Sequence, residues 1–219
     1  MNDLNEFDRI QSLLQIEREL WNAGIHHVAG VDEAGRGPLA GPVVAAAVIF
    51  PPEIFIPGVN DSKLLSAALR EKLSDRILKQ AVGVGIGEAS PWEIDALNIL
   101  NASLLAMKRA VANLALSADY LLVDGNYKLP DCSLPQMALI KGDRRCFSIA
   151  AASIVAKVHR DRLMRDYHRI YPHYQFDQHK GYPTRVHIAA IEKHGYCRIH
   201  RRSFTVKGLN AAFEKNRQG

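Results

Sequence analysis

The stretch between His27 and Phe50 constrains the fold of this chain more than any other. An apolar run that begins at His27 ends in two adjacent carboxylates, Asp32 and Glu33. A turn rich in glycine and proline follows, and a second apolar run begins at Val43. Short apolar runs bounded by turn residues are typical of buried strands. The sequence therefore predicts two strands, one over residues 27–32 and one over residues 43–50, with the carboxylates where the first strand ends.

The paired carboxylates suggest a particular chemistry. Neighbouring side chains of a regular strand point to opposite faces of the sheet, so Asp32 and Glu33 serve one site only if the strand ends or bulges there, as Gly35 would allow. Carboxylates hold Mg²⁺ or Mn²⁺, and Arg36 with free backbone N–H groups can hold a phosphate. The stretch therefore suits a metal-dependent phosphate enzyme. Two solvated charges at a strand end remain the simpler explanation of the pair taken alone.

Two further predicted strands also end in aspartate. Asp124 follows the apolar run Tyr120–Val123, and Asp143 follows the short run that begins at Met137. Each has an ordinary explanation, because Asp-Gly is common in turns and aspartate often precedes a helix. Sites gather at strand ends in sheets with helices on their faces. Carboxylates gathered there would repel one another unless divalent cations neutralised them.

The rest of the chain alternates predicted helices and strands. Helices are expected over residues 4–21, 66–80, 90–117, 147–171, 184–194 and 206–216, and strands over residues 81–88, 119–124 and 136–141, with an aromatic, basic loop at 174–183. The glycines that alternate through residues 81–88 predict a strand with one face closely approached. We therefore predict an α/β fold, a central mixed five-stranded sheet flanked by helices, with a C-terminal helical part.

The charge is divided unevenly along the chain. Residues 1–140 hold 11 Lys and Arg against 17 Asp and Glu, whereas residues 141–219 hold 17 against 6. The acidic part contains the candidate carboxylates, and the basic part suits a polyanion such as a nucleic acid. A solvated basic tail is the alternative, but the basic residues lie among tyrosines, glycines and helical periodicity.

Composition also argues against several other classes of protein. The three cysteines form no CxxC pair, which argues against a disulfide framework and a zinc site. The longest apolar run, residues 43–50, is far too short to cross a bilayer, and the polar N-terminus is unlike a signal peptide. We expect a cytoplasmic protein, without a membrane partner and monomeric.

Several basic and aromatic residues are candidates for binding a polyanion. Ser153, Lys157 and Arg160 recur at spacings of four and three, so they would share one face of the predicted helix. Tyr182 lies in the basic loop and could stack on a sugar or pair with a 2′-hydroxyl. Lys63 follows a polar turn. A solvated helix edge, a packed tyrosine and an exposed lysine are the plain alternatives.

The motifs jointly resemble the signature of the ribonuclease HII family, the type 2 ribonucleases H. The matching segments occur in the family's order and cover roughly residues 27–205: Gly30–Val44, Asn60–Lys63, Val123–Gly125, Lys141–Asp143, Ser148–Lys157 with Arg160-Asp161, and His179–Tyr182. Two positions depart from the family pattern. Leu64 stands where the family usually has a second lysine, and His159 stands where it has threonine.

The resemblance implies a ribonuclease H-like fold and endonucleolytic hydrolysis of RNA in RNA–DNA hybrids. It also implies incision 5′ to single ribonucleotides in duplex DNA, leaving 3′-hydroxyl and 5′-phosphate ends, as in RNA primer removal and ribonucleotide excision repair. The implied catalytic and metal-binding residues, for Mn²⁺ or Mg²⁺, are Asp32, Glu33, Asp124 and Asp143. The implied substrate-binding residues are Gly35, Arg36, Gly37 and Tyr182. Lys63, Ser153 and Lys157, the candidates named above from the residue pattern, complete the predicted substrate-binding set.

We expect the chain to divide into three parts. Residues 1–26 form a helical extension, residues 27–205 the catalytic domain, and residues 206–219 a C-terminal helix or tail. Two rival functions stay open at this point. A non-catalytic nucleic-acid-binding module would explain the basic part but not the strand-end carboxylates, and a nuclease acting on DNA alone would leave Gly35–Gly37 and Tyr182 without a 2′-hydroxyl to read.

Overall fold

A five-stranded mixed sheet forms the centre of the computed structural model, which describes residues 3–205. Its strands are β1 (Val28–Ala34), β2 (Val43–Ile49), β3 (Gly83–Ala89), β4 (Tyr120–Asp124) and β5 (Gln136–Leu139), in the spatial order β3-β2-β1-β4-β5. β2 runs antiparallel to β1 and β3, whereas β1, β4 and β5 run parallel. The predicted α/β fold with a mixed five-stranded sheet is therefore confirmed.

Helices cover both faces of this sheet. Within residues 3–205 they are α1 (Asp3–Leu13), α2 (Gln15–Asn22), α3 (Ala67–Gln80), α4 (Pro91–Ala112), α5 (Phe147–Ile170), α6 (Phe176–His179) and α7 (Arg185–His194). Alternate residues of β2 divide between two cores, as its two-residue side-chain period requires. Ala46 and Val48 pack with α1, α3 and α5, whereas Ala45 and Ala47 pack with α4. A strand buried on both faces reads as a continuous apolar run.

Helix α4 lies unusually close to strand β3, as the alternating glycines predicted. A Cβ atom added to Gly85 would lie 2.1 Å from the carbonyl oxygen of Ala110, and one added to Gly87 would lie 2.2 Å from that of Ala106. Real side chains do not approach backbone atoms this closely. The absence of side chains at these glycines therefore allows the α4 backbone to pack directly against β3.

Two predicted helices are interrupted in the structure. The helix predicted over residues 4–21 breaks at Leu14 (φ −85°, ψ 0°), where the sequence has no glycine or proline to mark a break. α4 is kinked at Asn98 (φ 68°, ψ 166°), whose Oδ1 accepts hydrogen bonds from the N–H groups of Leu100 and Asn101 and so caps the second segment. The helix predicted over residues 206–216 lies outside the described residues.

The C-terminal part packs against the turn that follows β1. Leu39 and Ala40 lie in one apolar cluster with Phe176 and Ile191. Backbone hydrogen bonds secure the contact: the N–H of Leu39 donates to Gly181, and the N–H of Arg201 donates back to Leu39. The glycine-rich turn and the basic loop are thereby held against one another.

The proposed division of the chain into three parts stays a prediction. Ile10, Leu13 and Leu14 of the N-terminal extension lie in the same core cluster as Phe147 of α5. Glu17 of α2 is buried and accepts hydrogen bonds from the N–H and hydroxyl of Ser148 at the start of α5. Both helices of the extension therefore pack against α5.

Candidate active site

Parallel pairing of β1 with β4 brings three carboxylates together. Val31 lies opposite Val123, so Asp32 and Asp124 follow at the same edge of the sheet. One oxygen each from Asp32, Glu33 and Asp124 lies within 4.8 Å of the others. β1 does not end at the pair but continues beside β2 to Ala34. Because β4 ends at Asp124, nothing of that strand flanks Glu33, whose longer side chain can turn towards Asp32.

The fourth predicted carboxylate, Asp143, lies beside this group but is not part of its closest set. It sits in a single 3₁₀ turn, Gly142–Arg144, and is nearly buried. The N–H of Gly142 donates to Asp124 Oδ1 at 2.7 Å, which ties the turn to the end of β4. Asp143 Oδ2 lies 3.8 Å from Lys63 Nζ.

Burial and like charge raise the pKa values of these carboxyl groups. Burial raises the pKa of Asp32 well above its ordinary range, and the charges of Glu33, Asp124 and Asp143 add to it. Burial also raises the pKa of Glu33, although Arg36 opposes the shift, and that of Asp143, although Lys63 opposes it. Carboxylates that repel one another in a buried space are suited to a divalent cation, which neutralises them. This donor set therefore fits a metal of the Mg²⁺ or Mn²⁺ kind.

The glycine-rich turn begins one residue after β1. Gly35 has a φ of 99°, which favours glycine, and a Cβ there would lie 2.1 Å from Arg160 Nε. The side chain of Arg36 is half exposed, with Nη1 3.3 Å from Glu33 Oε1. A cation on the flank of the acidic group can receive a phosphate oxygen.

Two buried arginines hold this turn through its carbonyl groups. Arg201 donates to the carbonyl oxygens of Gly35, Arg36 and Gly41. Arg160 donates to those of Ala40 and Pro42, and also to Lys180 in the basic loop. Neither guanidinium forms an ion pair within residues 3–205. Burial lowers the pKa of Arg160 to about 10 and that of Arg201 to about 9, values at which both remain charged at neutral pH.

Tyr182 faces the turn across a groove. Its side chain is exposed, and its ring lies 3.8 Å from the position of a Cβ on Gly37. Lys157 Nζ lies 5.9 Å from the ring centroid, in reach of a cation–π contact, and 2.6 Å from Asp161 Oδ1. Tyr182 and Lys157 therefore form the wall opposite Gly37.

A chain of neutral histidines supports the backbone of Tyr182. The N–H of Cys197 donates to His200 Nδ1, so the proton of His200 lies on Nε2 and is donated to His187 Nε2 at 3.1 Å. His187 then donates from Nδ1 to the Tyr182 carbonyl at 2.9 Å. Burial lowers the pKa of His187 to about 4 and that of His200 to about 3, so both are neutral at pH 7.

The groove has a volume of about 330 Å³ and gathers most of the residues singled out in the sequence. The predicted site residues that line it are Asp32, Glu33, Gly35, Arg36, Gly37, Lys63, Asp124, Lys157 and Tyr182. Asp143 and Ser153 do not line it. Ser153 is buried and its hydroxyl donates to the carbonyl of Ala150 at 2.8 Å, so its substrate-binding role stays a prediction.

The two departures from the family pattern lie outside the groove lining. Leu64 is exposed, and His159 Nε2 lies 2.9 Å from Glu88 Oε1 on β3. Arg160, which shares a helix with Lys157, is fully buried, so the shared-face prediction does not describe its role.

Arg201 is the residue that sequence reasoning missed. It lies beside Arg202 in the sequence, and no spacing distinguishes the buried arginine from its exposed neighbour. In the structure the ring of Phe204 lies 5.1 Å from its guanidinium, a contact that the sequence alone does not mark.

The fold and the acidic groove together are those of a ribonuclease H-like protein whose carboxylates could hold a divalent cation. The chain belongs to the ribonuclease HII family, whose sequence profile matches residues 29–207. It is therefore a type 2 ribonuclease H, an endonuclease that acts on RNA paired with DNA. Within residues 3–205, no helix is long and apolar enough to cross a membrane.

Similar proteins agree with this assignment. Ribonuclease HII of Caldanaerobacter subterraneus subsp. tengcongensis is 52% identical over 204 residues, which cover 93% of this chain and 84% of that protein. Ribonuclease HII of Syntrophotalea carbinolica is 56% identical over 193 residues, covering 88% and 92%.

Solved structures show the same fold. The crystal structure of ribonuclease H2 from Pyrococcus horikoshii OT3 superposes with a TM-score of 0.70 at 27% identity, covering 87% of this chain and 98% of that one. The crystal structure of Bst-RNase HIII in complex with Mn²⁺ superposes with a TM-score of 0.62 at 18% identity, covering 87% and 71%. At that identity the second likeness concerns the fold alone.

Proposed function

We propose that this protein incises duplex DNA on the 5′ side of single embedded ribonucleotides, as well as RNA in RNA–DNA hybrids. The products carry 3′-hydroxyl and 5′-phosphate ends, and the cellular roles are removal of misplaced ribonucleotides and of RNA primers. One observation carries this proposal: Tyr182 and Gly37 face each other beside the acidic cluster. A nucleotide bound beside them would have its phosphate at the carboxylates and its 2′-hydroxyl within reach of both.

The carboxylates are proposed to hold the catalytic metal. Asp32, Glu33 and Asp124 supply the oxygens that lie closest together, and Asp143 completes the site from the 3₁₀ turn. When bound there, the divalent ion, Mg²⁺ or Mn²⁺, would polarise the phosphate and activate a water molecule. Mn²⁺ is present in the structurally similar Bst-RNase HIII.

Discrimination of RNA from DNA is proposed to rest on the 2′-hydroxyl, since phosphates and most base atoms are common to both. The N–H groups of Arg36 and Gly37 can donate to the hydroxyl oxygen or to the adjoining phosphate. The Tyr182 hydroxyl can donate to it or accept from it. A 2′-deoxynucleotide keeps the phosphate but offers none of the contacts made through the 2′-hydroxyl.

Affinity for the duplex itself is proposed to be electrostatic. Arg36, Lys63 and Lys157 line the groove, and the basic C-terminal part continues from Tyr182. Contacts of this kind are independent of sequence and weaken as salt rises, because counterions are released from the nucleic acid. We propose that the protein acts as a monomer in the cytoplasm.

The test uses a labelled DNA duplex with one ribonucleotide, beside its all-DNA twin, with Mg²⁺, Mn²⁺ or chelator. We expect metal-dependent incision of the first duplex only. Equal cutting of both duplexes would favour a nuclease without a 2′-hydroxyl reader. If both duplexes are bound but neither is incised with Mg²⁺ or Mn²⁺, the result would contradict a catalytic role of the carboxylates.

A further inference from the structure

The Arg201 side chain donates hydrogen bonds to the turn that borders the groove. Its Nε donates to Gly41 at 2.9 Å, its Nη1 to Arg36 at 2.9 Å and its Nη2 to Gly35 at 2.6 Å. Only 1% of the residue is exposed. Burying a charged guanidinium is costly unless its donors are satisfied, so three carbonyls from one turn are the partners that make this burial possible.

These bonds also fix the orientation of the two peptide groups to which the Gly35 and Arg36 carbonyls belong. In a trans peptide, the N–H of the next residue points away from the carbonyl. By holding the Gly35 carbonyl, Arg201 turns the Arg36 N–H outward, and by holding the Arg36 carbonyl it turns the Gly37 N–H outward. Within residues 3–205, neither N–H donates to a protein acceptor, so both donors are left for a ligand.

The position of Arg201 is itself secured from helix α4. Asp95 accepts hydrogen bonds from the N–H groups of Arg202 and Ser203, at 2.9 Å each, and from the Ser203 hydroxyl. The N–H of Arg201 donates to Leu39 at 2.8 Å. The segment that carries Arg201 is thus pinned on both sides.

We propose that Arg201 is a positioning residue for ribonucleotide recognition, which aims the N–H groups of Arg36 and Gly37 into the groove, and that Asp95 secures it there. This inference rests on the proposed 2′-hydroxyl reading. Within residues 3–205 the Arg201 side chain donates only to carbonyls of this turn, so it would act on ribonucleotide recognition through the turn that it holds.

The test compares two affinities measured on the same protein sample. Apparent dissociation constants are determined by fluorescence anisotropy for a duplex with one ribonucleotide and for its all-DNA twin, with Ca²⁺ as the divalent ion and a denaturing gel to verify that the duplex stays intact. The ratio of the two constants does not depend on the active fraction, so partial misfolding leaves it unchanged. The variants are Arg201→Lys, which can reach only part of the carbonyl set, and the milder Asp95→Ala.

A matched control is Arg109→Lys. Arg109 donates to the Glu88 carbonyl and pairs with Glu93, and it does not line the groove. We expect the wild-type preference for the ribonucleotide to fall at least tenfold in Arg201→Lys and about threefold in Asp95→Ala. Affinity for the all-DNA duplex should stay within twofold, and Arg109→Lys should keep the wild-type ratio.

Two results would overturn the inference. One is an unchanged ratio in Arg201→Lys, or in Asp95→Ala if Arg201→Lys does not fold. The other is an equal loss of affinity for both duplexes, which indicates a purely structural role. A wild-type protein that neither prefers nor incises the ribonucleotide duplex would instead refute the proposed function on which the inference rests.

Discussion

At the scale of single residues, Asp32 occupies the most demanding environment in the site. It is 5% exposed, and Glu33 and Asp124 each place an oxygen within 4.8 Å of its own group. Its raised pKa reflects burial first and neighbouring charge second. A buried charge surrounded by like charges destabilises the folded protein, and such strain is typical of functional sites.

Asp32→Asn should abolish turnover, a loss of at least about a thousandfold, because a charge proposed to bind the metal is removed from the centre of the cluster. Hybrid binding should remain within a few-fold of wild type. Single-turnover kinetics and anisotropy measure the two effects separately. Without metal, the variant should melt at or above the wild-type temperature, because repulsion has been relieved. Retained cleavage would remove Asp32 from the mechanism.

Tyr182→Phe removes one hydroxyl and keeps the ring beside Lys157. Incision at a single ribonucleotide should suffer most, by about tenfold to a hundredfold, since that substrate offers one 2′-hydroxyl. Tyr182→Ala should lose the ring contact as well and be more damaged. Rates on a single-ribonucleotide duplex and on a continuous hybrid provide the comparison. Equal, mild losses on both substrates would reduce Tyr182 to a packing role.

At the scale of elements, the N-terminal extension supports the long helix α5. Cys146 precedes α5 but makes no capping hydrogen bond with its side chain, and Glu17 of α2 supplies the missing acceptor for Ser148. Burial raises the pKa of Glu17, while the hydrogen bonds from Ser148 oppose that shift. The first turn of α5 therefore depends on a residue from another helix.

Glu17→Ala should lower the free energy of unfolding by about 2–3 kcal/mol, because the buried N–H and hydroxyl of Ser148 lose their acceptor. Urea denaturation measures the change. Glu19→Ala, on the exposed side of α2, is the matched control and should change stability by less than about 0.5 kcal/mol. Equal effects in the two variants would show that the cap contributes nothing.

Much of this architecture was predictable from local pattern. Apolar runs ending in carboxylates marked β1 and β4, and alternating glycines marked the close approach of α4 to β3. The break at Leu14 was not predictable, because no residue there disfavours a helix. The burial of Arg160 and Arg201 was equally hidden, since their carbonyl partners come from Gly35–Pro42, far away in the sequence.

At the scale of the whole molecule, stability should depend on pH through opposing groups. His187 and His200 have folded-state pKa values near 4 and 3, below the ordinary value of about 6.5. Between these values the unfolded chain binds more protons, so acidification destabilises the fold through these histidines. The raised pKa values of Asp32, Glu33 and Asp143 act in the opposite direction above about pH 4.

Comparison with His187→Gln isolates the histidine contribution. The stability advantage of wild type over the variant should shrink as pH falls from 7 to 4, by up to about 3 kcal/mol, because the glutamine does not titrate. Urea denaturation at several pH values tests this, with the exposed His26→Gln as control. A difference in unfolding free energy between wild type and variant that stays constant with pH would contradict the neutral histidine chain.

The proposed function requires that the cut follow a 2′-hydroxyl and not a sequence. The most direct measurement moves one ribonucleotide stepwise through ten positions of a fixed DNA duplex and maps each product end by mass spectrometry with Mg²⁺ or Mn²⁺. We expect each incision immediately 5′ to the ribonucleotide, with a 3′-hydroxyl and a 5′-phosphate at every position. Cuts that stay at one place while the ribonucleotide moves would contradict the account.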